Sequence, residues 1–318
     1  MSKTAQRNAF GEALVEAGEK YNNVVVVDAD LSGATKINGF AKRFPDRFFN
    51  VGISEADGIS AAAGMAKAGL RPFFASFAVF TSSRYDPIRT SVAYSKAPVV
   101  LVGTHSGLIG KDGASHQALE DVAILSSLPG LKIYQPADPL ETKQIVHHLA
   151  GNDEMAYLRV SRHPQEDVHA PDYKFAPGKA DILIDRPSLD AIIFSTGYLT
   201  THAMDASKRL WDSKGVSAHV INFSTLKPID TEMITRYAKT GKPIITVEDH
   251  NPTGGLGSRV CEVIAKNGLP SRVLPLGVDG FGESGAPEEL YKKFKLDSES
   301  ISQQVVGHIE NSTRRRIS

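Results

Sequence analysis

Four short stretches carry side chains whose types and spacing suit chemistry. Glu55 sits where a strand-like segment, Val51-Gly52-Ile53-Ser54, gives way to the small-residue run Ile59-Ser60-Ala61-Ala62-Ala63-Gly64-Met65-Ala66. A carboxylate at a helix start often does no more than complement the helix dipole. Facing a basic ring nitrogen in a buried site, the same group would share a proton with the ring and polarise it. Phe77 and Phe80, three residues apart within FFASFAVF, can project to one side of a turn. They would then form a stacking wall for a flat heteroaromatic ring, or simply fill core.

The third stretch runs from Thr104 to Gln117 and holds His105, Asp112 and His116 among three glycines. Glycine-rich loops bend where β-branched residues cannot, and loops carry function disproportionately. Histidines there can bind hydroxyl or phosphate oxygens and move protons near neutral pH. A metal site is the rival reading, but no second His or Cys spacing supports it. The fourth is Leu158-Arg159-Val160-Ser161-Arg162-His163. Arg162, at a strand exit, suits a paired contact with a phosphate; the alternative is a surface salt bridge worth about 0–1 kcal/mol.

The elements that must position these groups alternate in type. Val24-Val25-Val26-Val27, Pro98 to Gly103 and Leu131 to Tyr134 are continuous apolar runs, each followed by polar residues. Such runs read as parallel strands buried on both faces, and the amphipathic stretches Arg7 to Tyr21 and Glu55 to Ala68 read as the helices between them. This is an α/β fold, in which ligands gather at the carboxyl ends of strands. His163 to Asp172 is polar and holds two prolines, as an exposed linker would. The alternation then resumes at Ala191 to Gly197, Ile244 to Asp249 and Arg272 to Gly277. The expected division is a parallel-sheet domain over 1–165, a linker over 166–177 and a smaller α/β domain over 178–318. The turn Gly254-Gly255-Leu256-Gly257-Ser258 reads as structural, since a lone glycine-rich stretch is weak support for phosphate binding. The tail Ser312 to Arg316 is expected to fray.

The 318 residues are enough for about two domains of ordinary size. With 41% hydrophobic residues, 23% charged and no formal net charge, the chain suits a soluble globular protein and has no global electrostatic pull toward nucleic acid or acidic membrane. The single cysteine, Cys261, excludes an internal disulfide framework and reads as buried helical filler. The first residues lack the apolar core of a signal peptide, and no run reaches membrane-spanning length, so the expected location is the cytoplasm.

Taken together, FFASFAVF, THSGLIGKDGASHQALED, SLPGLKIYQPAD, LRVSRHP, INFSTLKPID, TVEDHNPTGGLGS and GFGESGAPEEL resemble the C-terminal half of transketolase over almost the full length. The resemblance implies a pyrimidine-binding domain followed by a transketolase C-terminal domain, with thiamin diphosphate as cofactor. It implies that Glu55 hydrogen-bonds the aminopyrimidine and promotes the imino form that takes the thiazolium proton. Phe77 and Phe80 match aromatic residues around the pyrimidine, and Asp30 a cofactor contact near a subunit boundary. His116 matches a residue near the reacting carbons, and Asp112 one that reads a donor-sugar hydroxyl. His105, Arg162 and Arg7 match phosphate-end ligands. Two positions depart from the pattern. Ala34 stands where the family has a phosphate-binding serine, with Thr35 next door as a substitute. Ser83-Arg84 stands near where relatives carry a tyrosine or arginine.

No Gly-Asp-Gly occurs in these residues, although the superfamily uses that sequence to bind the diphosphate through a divalent metal. The expected partner is therefore a separate N-terminal transketolase subunit that carries the diphosphate and Mg2+ or Ca2+, in an α2β2 assembly acting on sugar phosphates. Pentose-phosphate metabolism is the default setting. The rivals are the β-subunit of a 2-oxoacid dehydrogenase decarboxylase, half of a deoxyxylulose-phosphate synthase, and a non-catalytic subunit that kept the fold.

Overall fold

The computed structural model of the chain describes residues 3–317, with side chains as far as Ser312. In chain order the strands are β1 Thr4–Ala5, β2 Val24–Asp28, β3 Phe48–Asn50, β4 Arg71–Phe77, β5 Val100–Thr104, β6 Lys132–Tyr134, β7 Ala156–Arg159 and β8 Pro164–Gln165. They continue with β9 Asp181–Ile184, β10 Ala191–Ser195, β11 Ala218–Asn222, β12 Thr225–Lys227, β13 Ile244–Val247 and β14 Val273–Leu276. The larger sheet has the order β12-β6-β7-β5-β4-β2-β3, and the smaller one β14-β13-β10-β11-β9. Within these two sheets all neighbours run parallel except β12 on β6 and β9 on β11, and β1 pairs antiparallel with β8 in a separate two-stranded ribbon. The mixed α/β architecture expected from the apolar runs is therefore present.

The central strands form because both faces of each are covered. Val24, Val26, Phe73, Val100 and Val102 pack on one face against Phe10, Leu14 and Leu149. Val27, Phe74, Leu101 and Ile133 face the other way, into a core that continues to Ile192, Phe194 and Ile221 of the smaller sheet. Alternation at period two thus sends every second residue into a different core, which explains the lack of polar residues along these strands. Each such side chain contributes about 1.5–3 kcal/mol on burial.

Two features tie the sheets together. Strand β12, from the second half of the chain, closes the edge of the larger sheet by pairing Thr225 with Tyr134. At the carboxyl end of β7, the fully buried Arg159 donates from Nε to Asp121 Oδ2 at 2.8 Å and from Nη1 to Asp249 Oδ1 at 2.7 Å. Its Nη2 reaches the carbonyl oxygens of Ala118 and Asp249. Burial alone would lower the arginine's pKa, but the Asp121 and Asp249 charges hold it above its ordinary value.

Three expectations are corrected. The linker is not simply exposed: His163, Gln165 and His169 are buried, because His163 Nε2 contacts Leu108 O, Gln165 donates to Ala137 O and His169 meets Asp138. Cys261 is helical as expected but lies on the exposed face of the helix Leu256–Lys266, where Val260, Val263 and Ile264 take the core positions. The tail does not fray in its backbone, since the helix Ser298–Ile317 runs through it. The glycine-rich turn is structural: Glu248 accepts from the N–H groups of Leu256 and Gly257, filling that helix N-terminus from within the chain. Among the described residues, no helix is long and apolar enough to cross a membrane.

Candidate active site

The parallel register places the ends of neighbouring strands side by side. Asp28 pairs with Ala75, Phe77 with Thr104 and Gly103 with Arg159. The residues that follow these positions share one edge of the sheet, where α/β folds bind ligands. Glu55 is the first residue of the helix Glu55–Lys67 and is buried. Ser76 Oγ donates to its Oε1 across 3.4 Å, a long and weak contact that leaves the carboxylate with acceptor capacity. Phe77 ends β4 and Phe80 lies in the short helix that follows. Their rings are parallel within 5° at 5.5 Å between centroids, so the two aromatics form the wall their spacing suggested.

His105 follows β5 with a left-handed backbone, φ 56°, and is buried under Phe77 at 3.8 Å between ring centroids. Its Nε2 lies 2.8 Å from Arg7 Nη1 and its Nδ1 2.9 Å from Thr104 Oγ1. Burial first, then the Arg7 and Arg162 charges, push its pKa down to about 3, so the ring is neutral at physiological pH. Arg7 reaches this point because the start of its helix is tied to the chain after β7. Arg7 N donates to Ser161 O at 3.1 Å, and Ser161 N donates to Gln6 Oε1 at 2.8 Å. Arg7 Nη1 also donates to Ala34 O at 3.0 Å, so the position lacking the family hydroxyl still holds the arginine through its carbonyl. Thr35 is no substitute: it is fully buried and its hydroxyl is bonded to Leu31 O.

His116, half-buried, presents its ring edge-on to Phe80 at 5.4 Å and to Phe77 at 6.3 Å. On the same loop, Asp112 Oδ2 accepts from Arg162 Nη1 at 2.5 Å. The structure thus brings Arg7, Phe77, Phe80, His105 and His116 into one connected group, with Glu55 joined through Ser76, and sets Asp112 and Arg162 against each other. Asp30 is held differently. It is exposed, with φ 65°, and accepts from Asn50 Nδ2 at 3.2 Å, which ties it to the end of β3. Ser83 and Arg84 are exposed just beyond the short helix that carries Phe80.

Two contributors escaped the sequence reading. Thr104 donates to Ser76 O at 3.1 Å while contacting His105, and so links the carboxylate side of the group to its arginine side. Arg159 lies within a motif that drew attention only to Arg162. Neither residue has a sequence signal of its own, because each gains its role from partners 28 and 90 positions away.

Two family models match the chain: transketolase, pyrimidine binding domain, over residues 2–165, and transketolase, C-terminal domain, over residues 178–301. The chain belongs to the transketolase family. This transketolase-family chain is 42% identical over 305 residues to a protein of Methanocaldococcus jannaschii named as a transketolase C-terminal section, covering 94% of this chain and 95% of that one. It is 34% identical to the 6-deoxy-6-sulfo-D-fructose transketolase subunit SqwH of Clostridium sp. strain MSTE9, over 93% of this chain and 91% of that subunit. Among solved structures, it superposes on a split-gene transketolase described as an inactive beta4 tetramer, with a TM-score of 0.87 and 36% identity, covering 97% of this chain and 99% of that one. Each of these matches covers nine-tenths or more of both chains, and the relatives are named as a section, a subunit or a split-gene product.

Proposed function

We propose that this chain is the C-terminal subunit of a split, thiamin-diphosphate-dependent transketolase that moves a two-carbon ketol unit between sugar phosphates in the cytoplasm. The observation that carries this reading is the position of Phe77. Its ring contacts both Phe80 and His105, and its neighbour Ser76 bonds Glu55, so a stacking wall, a buried carboxylate and an arginine-bearing anion end lie along one sheet edge. The residues fit the pyrimidine half of the cofactor: Glu55 has spare acceptor capacity for a ring N–H, and Phe77 and Phe80 offer parallel apolar faces. When bound, the cofactor supplies the nucleophile and electron sink for breaking the carbon–carbon bond beside a ketone.

In this reading Glu55 holds a proton on the aminopyrimidine ring. Arg7 and Arg162 bind the substrate's phosphate, His105 lies behind Arg7, and Asp112 and His116 read hydroxyls nearer the reacting carbons. Asp30 contacts the cofactor at the subunit boundary. The match over nine-tenths or more of relatives named as a separate section or subunit supports a partner chain that carries the diphosphate and Mg2+ or Ca2+, in an α2β2 enzyme. The corresponding division here is a pyrimidine-binding domain over 1–165 and a C-terminal domain over 178–318.

The test is purification with the candidate N-terminal subunit, followed by a ketol-transfer assay from a phosphorylated ketose to an aldose phosphate. Transfer only by the two chains together is the expected result. Full activity of this chain alone with thiamin diphosphate and Mg2+ would overturn the split site. Pyruvate consumption without ketol transfer would overturn the transketolase assignment.

A further inference from the structure

The polarity of one hydrogen-bond chain is fixed by its ends. A guanidinium has no acceptor, so in the 2.8 Å contact between Arg7 Nη1 and His105 Nε2 the arginine donates and the ring nitrogen accepts. A neutral imidazole that accepts at Nε2 carries its proton on Nδ1. That Nδ1–H faces Thr104 Oγ1 at 2.9 Å. The threonine hydroxyl proton is directed elsewhere, to Ser76 O at 3.1 Å, so Oγ1 is free to accept from the ring. The sequence Arg7 to His105 to Thr104 to Ser76 therefore has a single consistent direction of donation.

The result bears on Arg7. Its Nη1 donates to both Ala34 O and His105 Nε2, which uses both hydrogens on that nitrogen. The opposite edge begins at Nε, which is buried and has no hydrogen-bond partner among the described residues. An edge of this kind suits a two-point contact with a tetrahedral anion.

We propose that Thr104 is a positioning residue: by accepting from His105 Nδ1–H it fixes the ring tautomer whose Nε2 lone pair holds Arg7 with its Nε edge turned to the substrate's anionic end. This rests on the reading of Arg7 as an anion ligand in a transketolase site. Without the Thr104 acceptor, the buried Nδ1–H has no partner, and moving the proton to Nε2 sets two N–H donors against each other at Arg7. Either way the arginine loses its hold, while the hydroxyl contact from Ser76 to Glu55, which does not involve the threonine side chain, remains.

Two measurements test it. In the reconstituted two-subunit enzyme, Thr104→Val is expected to raise KM for a phosphorylated donor about tenfold. It should leave kcat within about twofold and KM for an unphosphorylated ketose donor unchanged, with Thr104→Ser restoring the wild-type values. In the full chain labelled with 15N histidine, the His105 resonance (assigned by its loss in His105→Gln) should show the Nδ1–H tautomer at pH 7 and lose that pattern in Thr104→Val. An Nε2–H or charged ring in the wild type would overturn the proposal. So would a Thr104→Val variant that lowers kcat equally for both donors, or changes neither constant. If the wild-type complex shows no ketol transfer at all, the functional reading falls, and the tautomer measurement still decides the role of Thr104.

Discussion

Asp112 and Arg162, which were expected to read different parts of one substrate, are bonded to each other across 2.5 Å at the rim of the site. The pair is partly exposed, with 39% of the aspartate side chain and 27% of the arginine side chain open to solvent. In that setting an ion pair contributes about 0–1 kcal/mol to stability. Under the proposed function, a substrate phosphate would displace Asp112 from Arg162 at little cost and free the carboxylate for a sugar hydroxyl. Arg162→Gln is expected to raise KM for phosphorylated donors about tenfold while changing folding free energy by less than about 1 kcal/mol. Urea unfolding beside steady-state kinetics checks both. A stability loss several times larger, with KM unchanged, would make the pair structural.

Glu55 gives a contrasting case. Among the described residues, the one hydrogen bond to its carboxylate is the 3.4 Å contact from Ser76, so the fold gains little from its charge. Glu55→Gln should therefore leave the thermal midpoint nearly unchanged, yet lower kcat of the reconstituted enzyme by about 10²–10⁴-fold, the range associated with a lost proton-handling group. Wild-type turnover by that variant would remove the carboxylate from the mechanism.

The same contrast explains what could be read from the sequence. Val24 to Val27 and Pro98 to Gly103 announced buried parallel strands, because a strand covered on both faces has no tolerance for polar residues. Phe77 and Phe80 announced a shared side, because turn geometry converts a spacing of three into proximity. The union of Thr225 with Tyr134 left no such trace, since β12 is a three-residue strand whose partner lies far off in the chain. Thr35 was misread for a related reason: a hydroxyl beside Ala34 looked available, but its bond to Leu31 O is a backbone contact that no residue pattern reveals. Elements set by local periodicity were legible. Side-chain directions set by distant partners were not.

His105 allows a prediction in pH. Its folded-state pKa, about 3, lies below the ordinary value of 6.5, so protonation favours the unfolded chain. The associated stability is fully present above about pH 6.5 and declines as pH falls toward 3. Between pH 7 and pH 5, wild type should lose roughly 1–2 kcal/mol more stability than His105→Gln, which cannot take up the proton. Urea titrations of the two chains at both pH values supply the comparison. Parallel loss in the two would mean that the ring is not held neutral by its surroundings.

Arg159 is the residue whose loss the fold should tolerate least. Its guanidinium contacts Asp121, Asp249 and the carbonyl oxygen of Ala118, and both carboxylates are buried beside it. Burial raises the pKa of Asp249, and the Arg159 charge counters that rise. Arg159→Met would therefore leave two carboxylates in an apolar interior without their cation, a change that costs about 3–5 kcal/mol. Arg159→Lys should rescue little, because one ammonium cannot reproduce donors aimed in three directions at Asp121, Asp249 and Ala118 O. Restoring neutrality with Asp121→Asn and Asp249→Asn in the Arg159→Met background should recover part of the loss, since neutral amides are cheaper to bury than unpaired carboxylates. Denaturant unfolding of the three variants checks the order: Arg159→Met and Arg159→Lys well below wild type, and the triple variant between them and wild type. A lysine variant as stable as wild type would show that charge alone, and not the forked geometry, joins the two sheets.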